Sequence, residues 1–399
     1  MFEKLRNYSR IIVYIVVVAF AVGGGFMGYG AFSGGGDAPA DRDAMDALAQ
    51  VGEREITRQR YNEVIQNYAQ QTANFTRAQM LPFRLSVLNS IIDETILIQE
   101  AEARGLDPQV SPDEIDEVIN NILEQNNMEM EELEDILAQQ NITLNQFQDN
   151  IRNSLRQQNM MEEIVEEIQD EAEVTDSEVA ARFEDEYEDE DLDEQEQEEA
   201  KEDIRANLLE ERREEKLNDW LQEARADANV TINDPVLRAM NYYEEENYTA
   251  ALNTFEEALE RSRDPALYIF KARTYREMDQ IEDAYSVLDR AQEEHPEEWE
   301  IAYEHGDFLA EEGEDELAVE KFEKASEYAG RNIMARYQLN TAFTRVGAEE
   351  LAQEEMDKFM EIQQDRQEIA PEGTPLEEDE LEEVDPDEVE VEPEQEPVE

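Results

Sequence analysis

The chain has 399 residues, of which 105 are Asp or Glu and only 33 Lys or Arg, so its formal net charge is -72. So acidic a surface cannot hold a nucleic-acid backbone by counterion release or dock peripherally on anionic lipid, since both need clustered Lys and Arg. There is no cysteine, which excludes disulfides, thiolate nucleophiles and Cys-ligated zinc, and two histidines, His295 and His305, are scant material for a triad or a His-rich metal site.

Residues 1–10 are a basic flank, with Lys4, Arg6 and Arg10 against Glu3. An uncharged apolar stretch follows from Ile11 to Phe32, and the next charge is Asp37. Its length, above about 20 residues, spans a bilayer as a helix. The positive-inside rule then puts the N-terminus in the cytoplasm and the bulk of the chain outside. A cleaved signal peptide competes, with small-residue sites at Ala31-Phe32-Ser33 and Ala38-Pro39-Ala40. The stretch exceeds the usual signal core of about 7–15 residues, which favours a single-pass transmembrane anchor over 11–32. Residues 33–47 read as a flexible tether.

From Ala47 to Ile56 the pattern predicts a short extended piece turning at Gly52. Thr57 caps a helix carrying Tyr61, Val64 and Ile65. Leu85, Leu88, Ile92, Ile96 and their neighbours predict a long buried helix from about residue 83 to 104, stopped by Gly105. Ser111-Pro112-Asp113-Glu114 is a helix start, with Ser at the N-cap, Pro at N1 and Glu at N3. Leu133, Ile136 and Leu137 give a short helix, Thr143 caps the next, and Thr175-Asp176-Ser177-Glu178 begins one more. The fold class is all-α.

The order of these signals, from Val51-Gly52-Glu53 through the Leu85–Gly105 helix to Val174-Thr175-Asp176-Ser177-Glu178-Val179, resembles the N-terminal chaperone domain of the SurA, PpiD and PrsA family of extracytoplasmic folding factors. The single-span anchor matches the PpiD arrangement best. That family usually inserts a parvulin-type prolyl isomerase domain after the helix that follows Thr175. Its Arg-His-Ile-Leu-like and Gly-Gly-Asp-Leu-Gly-like segments do not occur here, and residues 188–198 form an acidic connector in its place. Ile204, Leu208, Leu217, Trp220 and Leu221 resume a helical pattern that ends in Ala228-Asn229-Val230-Thr231-Ile232. The resemblance implies that this end packs back on the first domain, which then covers 48–232, and that the isomerase is missing.

Beyond it the chain repeats every 34 residues: Ala284, Ala318 and Ala352; Tyr275, Leu309 and Phe343; Leu288, Phe322 and Met356. A small-residue position reads Ala272, Gly306 and Asn340. Small residues let paired helices approach, and large apolar ones fill the seams between pairs. The pattern resembles the tetratricopeptide repeat, about four copies over residues 233–365 forming an α-solenoid. By that resemblance a concave groove is lined by Met240, Tyr243, Ile269, Arg273, Arg276, Tyr303, Asp307, Tyr337 and Thr341. Arg273 and Arg276, one turn apart, are able to clamp a carboxylate or a peptide C-terminus. The plainer alternative pairs them with Glu277, Asp279 or neighbouring helices.

Residues 366–399 form an acidic tail with no Lys or Arg from Pro371 onward, a composition that predicts disorder. There is no EF-hand, phosphate loop, Gly-x-Ser-x-Gly or His-Glu-x-x-His pattern, so no catalytic residue, metal or cofactor is expected. Seven lysines stand against 26 arginines amid the Glu excess, a surface chemistry suited to salt-rich surroundings. The expected protein is a membrane-anchored, extracytoplasmic, ATP-independent chaperone for unfolded or translocating polypeptides at a bacterial cytoplasmic membrane. Met128, Met130, Phe147, Met160 and Met161 are its candidate client contacts, because Met adapts to varied partners, with ordinary core residues as the alternative. A scaffold binding one envelope protein through the repeat groove, and an isomerase relative by homology only, are the rival functions.

Overall fold

The computed structural model describes residues 47–69, 71–139, 141–187 and 193–369, with side chains to Asp365. The expected anchor, the tether up to residue 46 and the tail from residue 370 lie outside the described residues. Among the described residues no helix is long and apolar enough to cross a membrane.

The molecule is helical with one exception to the all-α expectation. Strand β1 (Ala47–Val51) turns through Gly52, at φ +59°, into β2 (Arg54–Thr57), and β3 (Val230–Ile232) pairs with the other side of β1. Both pairings are antiparallel, in the order β2-β1-β3. Leu48, Ala49 and Val51 are wholly buried, so the small sheet ties the two ends of the first domain to its core.

Helix α1 (Arg58–Asn67) starts where Thr57 accepts from the Arg60 N–H. Helix α2 (Arg77–Arg104) begins six residues before the expected start, at a Thr76/Gln79 capping box. Pro82, which lacks the N–H that an interior helical residue donates, hid that first turn in the sequence. Gly105 ends the helix in the left-handed conformation, at φ +80°. Capping boxes at Ser111, Thr143 and Thr175 open α3 (Pro112–Gln125), α5 (Leu144–Gln169) and α6 (Asp176–Glu186), while α4 (Met130–Gln139) lies between the first two. Helix α7 (Glu194–Asp227) starts within the expected acidic connector, because Asp193 and Glu196 form a further capping box inside the carboxylate run.

Four helix pairs follow: α8 (Pro235–Glu244) with α9 (Tyr248–Arg261), α10 (Pro265–Glu277) with α11 (Ile281–Glu294), α12 (Trp299–Glu311) with α13 (Asp315–Tyr328), and α14 (Ile333–Arg345) with α15 (Glu349–Ile369). Helix α15 thus extends into the segment expected to be disordered from residue 366. The period has visible causes. A Cβ at Gly306 would sit 2.6 Å from the Phe322 ring and 3.1 Å from the Ala318 carbonyl oxygen, so only glycine allows α12 so close to α13. Asn340, where a small residue was expected, donates from Nδ2 to the Ala352 carbonyl at 2.9 Å and so joins α14 to α15.

Helix α2 is the spine. Its first half shares a core with the sheet, α1 and the first repeats, where Leu81, Leu85 and Leu88 join Leu237, Met240, Leu267 and Phe270. Its second half packs Leu97 and Ala101 on Met160, Ile164 and Ile168 of α5, beside Trp220 and Leu221 of α7. Helices α3 and α4 and the start of α5 enclose a separate small core: Ile115, Ile119, Ile122, Leu133, Leu137, Phe147 and Ile151.

Candidate functional site

The expected groove lies on the first helices of the pairs, and much of it is used internally. Met240 and Ile269 are wholly buried, Met240 in the core shared with α2. Tyr243 is half-buried and meets Phe270 edge-on at 5.5 Å. Arg273 and Arg276 are not a free carboxylate clamp. Arg273 binds Glu304 through two bonds, at 2.6 and 2.7 Å, and Arg276 binds Glu311 at 2.6 Å while lying over the Phe308 ring. Asp307 takes Arg345 at 2.6 Å. Tyr303 packs against Phe322, and burial, with Asp307 adding to it, pushes its hydroxyl up to about 12. Only Tyr337, 53% exposed and stacked obliquely on Phe359, and the exposed Thr341 remain open, at the far end.

One helix organises this face. Glu300, Glu304, Asp307 and Glu311 lie on α12 at spacings of four, three and four, hence on one side of it. Three of them hold arginines of α10 and α14, and the fourth reaches the first domain. Glu300 is 6% exposed, and its two oxygens accept from the backbone N–H groups of Arg77 and Ala78 at 2.8 and 2.9 Å. Thr76 Oγ1 takes the Gln79 N–H, and Gln79 Oε1 takes the Thr76 N–H at 3.0 Å. All four orphan donors at the α2 N-terminus are therefore satisfied, two of them by the repeat region. Burial raises the Glu300 carboxyl above its ordinary value, with the two N–H donors opposing. The Arg77 guanidinium adds a bond to Glu298 at 3.1 Å. Glu300 went unmarked in the sequence because carboxylates are everywhere; the four-three-four spacing was the available signal.

The five candidate client contacts do not converge. Phe147 is wholly buried in the small core of α3–α5, with Met128 packed partly buried against it. Met160 is 2% exposed in a different core, which Met161 flanks. Phe147 and Met160 are therefore core residues that offer no surface, while Met130, 38% exposed, faces solvent. The histidines are structural. His305 is buried against the Tyr285 ring with Nδ1 3.1 Å from Lys321 Nζ, and His295 packs edge-on to Tyr268.

A cleft of about 530 Å³ opens where the first domain meets the first repeat. Its walls are Asn89 and Ile92 of α2, the end of α7 at Arg225, strand β3, and Asn241 and Tyr242 of α8. Arg225 is held by Asp93 at 2.5 and 2.6 Å, and Arg238 by Glu257 at 2.6 Å. Ile92 and Val230-Thr231-Ile232 stood out in the sequence only as structural positions and none of the walls as a site, because the cleft joins segments more than a hundred residues apart.

With this geometry in place, residues 1–161 match the family of SurA-like N-terminal domains, and residues 242–303 match the tetratricopeptide repeat. No curated protein matches the chain. The chain thus joins a SurA-like N-terminal domain to tetratricopeptide repeats. Both are non-catalytic domain types, and together they point to a chaperone-like or protein-interaction role.

Proposed function

We propose that this chain is a membrane-anchored, extracytoplasmic, ATP-independent chaperone that holds unfolded or translocating polypeptides. The observation that carries the reading is the fusion of two non-catalytic domain types into one body through the α2 core and the Glu300 cap. Only seven residues separate α6 from α7, where the related folding factors carry their isomerase; an independent domain needs about 50 or more. The anchor rests on the uncharged stretch 11–32 and its basic flank. The dense carboxylate coat would keep client-laden protein soluble in a salt-rich exterior.

Crosslinking in intact cells, followed by mass spectrometry, tests the reading. Many unrelated exported polypeptides captured by the chain support it; capture of one envelope protein, abolished by deleting residues 233–365, replaces it with the scaffold reading. The open Tyr337 end of the repeats is what favours that second reading. Protease added outside spheroplasts should digest the region after residue 37, and full protection would contradict the topology.

A further inference from the structure

Strand β3 is an edge strand, and its hydrogen-bonding parity can be read directly. The Asn233 N–H donates to the Leu48 carbonyl at 2.9 Å, and the register pairs Thr231 with Gln50 and Ile232 with Ala49. Leu48/Asn233 and Gln50/Thr231 are therefore the hydrogen-bonded pairs of the ladder. Val230 and Ile232 must then direct their N–H and C=O groups away from β1, into the cleft. One of these groups is engaged: the Ile232 carbonyl takes Arg238 Nη1 at 3.1 Å. The Val230 N–H and C=O and the Ile232 N–H have no backbone partner among the described residues.

We propose that the cleft is a strand-addition site, in which an extended polypeptide segment without acidic residues pairs with the outer edge of β3. The proposal rests on the chaperone reading and names where and how part of a client would be held. The exposed donor, acceptor and donor along β3 complement an extended backbone. Both guanidinium groups in the wall already have carboxylate partners, Asp93 and Glu257, so the cleft presents asparagine amides, Tyr242 and Ile92, with Glu245, which accepts from Asn241 Nδ2 at 2.9 Å, as its one carboxylate without a cationic partner among the described residues. That lining gives no anion a counter-charge, so the segment it suits is one without acidic residues. Ile232 is buried and Thr231 exposed, so side chains alternate between core and solvent. An added strand would follow the same alternation, turning every second side chain toward Ile92 and requiring it to be apolar. A second folded copy is a poor occupant, because its own β3 would be recessed between α2, α7 and α8.

The test uses the full chain in detergent and a fluorescent, uncharged heptapeptide of alternating valine and threonine. Hydrogen exchange at the Val230 and Ile232 amides should slow when the peptide is added. Asn241→Trp and Asn89→Trp, which fill the cleft from opposite walls, should each weaken binding at least tenfold, as should methylation of every peptide nitrogen. Unchanged affinity on filling or methylation, or protection confined to other helices, overturns the site. So does protection of these two amides by self-association without peptide. If the cleft-filled variants still suppress client aggregation but the peptide never protects β3, the site fails and the chaperone reading stands. If the peptide binds in the cleft but the chain suppresses no aggregation, the site stands and the chaperone reading fails.

Discussion

The two halves of the first domain are built to different standards. The half around α2 shares a core of 22 buried residues with the sheet and the first two repeats. The outer lobe of α3, α4 and the start of α5 encloses seven. Cooperative stability follows the amount and continuity of buried apolar contact, so the junction should unfold with the repeats and the lobe should open by itself. The fold therefore places its rigid element where two domain types meet and its loosest element at the periphery.

The largest expected effect separates these halves. Phe255→Ala in the junction and Phe147→Ala in the lobe remove equally buried rings, each at about 3–5 kcal/mol. The first should lower the main thermal transition of the whole chain. The second should leave that transition in place and accelerate amide exchange only in α3, α4 and early α5. A global shift from Phe147→Ala would erase the distinction.

Between pH 6.5 and 4, acid should weaken the repeats and not the lobe. Burial first, then the charge of Lys321, holds the His305 imidazole down to about 4, with Asp289 opposing and Lys324 adding. The unfolded chain takes this proton as pH falls past the ordinary value of about 6.5, and the folded chain only near 4. The stabilisation is therefore complete above pH 6.5 and is lost toward pH 4, by on the order of 3 kcal/mol. His305→Asn should flatten that limb of the stability curve. The lobe contains neither histidine, so its exchange rates should not follow the same limb.

Glu300→Ala leaves two part-buried N–H groups without their acceptor and should cost about 1–3 kcal/mol in denaturant titration. Glu300→Gln should cost less, because burial already penalises the charge and the amide oxygen still accepts one bond. Equal losses would show that the charge on the α2 N-terminus outweighs its burial. The smallest effect is ionic. Most ion pairs here are exposed and individually worth about 0–1 kcal/mol, while the net charge is -72. Added salt should therefore raise Tm by screening repulsion; a fall would show that the pairs dominate.

What was legible in the sequence was local. Ser111, Thr143 and Thr175 announced their helices because a capping box fits within four residues. The 34-residue period survived because each pair repeats the same contact, as between Gly306 and Phe322. What was illegible was pairing at a distance. Among 105 acids the four-three-four spacing put Glu300 on one side of its helix but did not name the helix it caps, more than two hundred residues away. The partners of Arg273 and Arg276 were illegible for the same reason, since Glu304 and Glu311 belong to the next pair. The five candidate client contacts could not be sorted into core and surface, because composition cannot tell a core-filling Met160 from an exposed Met130. The cleft appears only once β3 has crossed the chain to meet β1.

The most direct test of the account is aggregation of a reduced, unfolded client, followed by light scattering, with the full detergent-solubilised chain at stoichiometric ratio and no ATP. The account predicts suppression without nucleotide. Scattering equal to that of the client alone would contradict it.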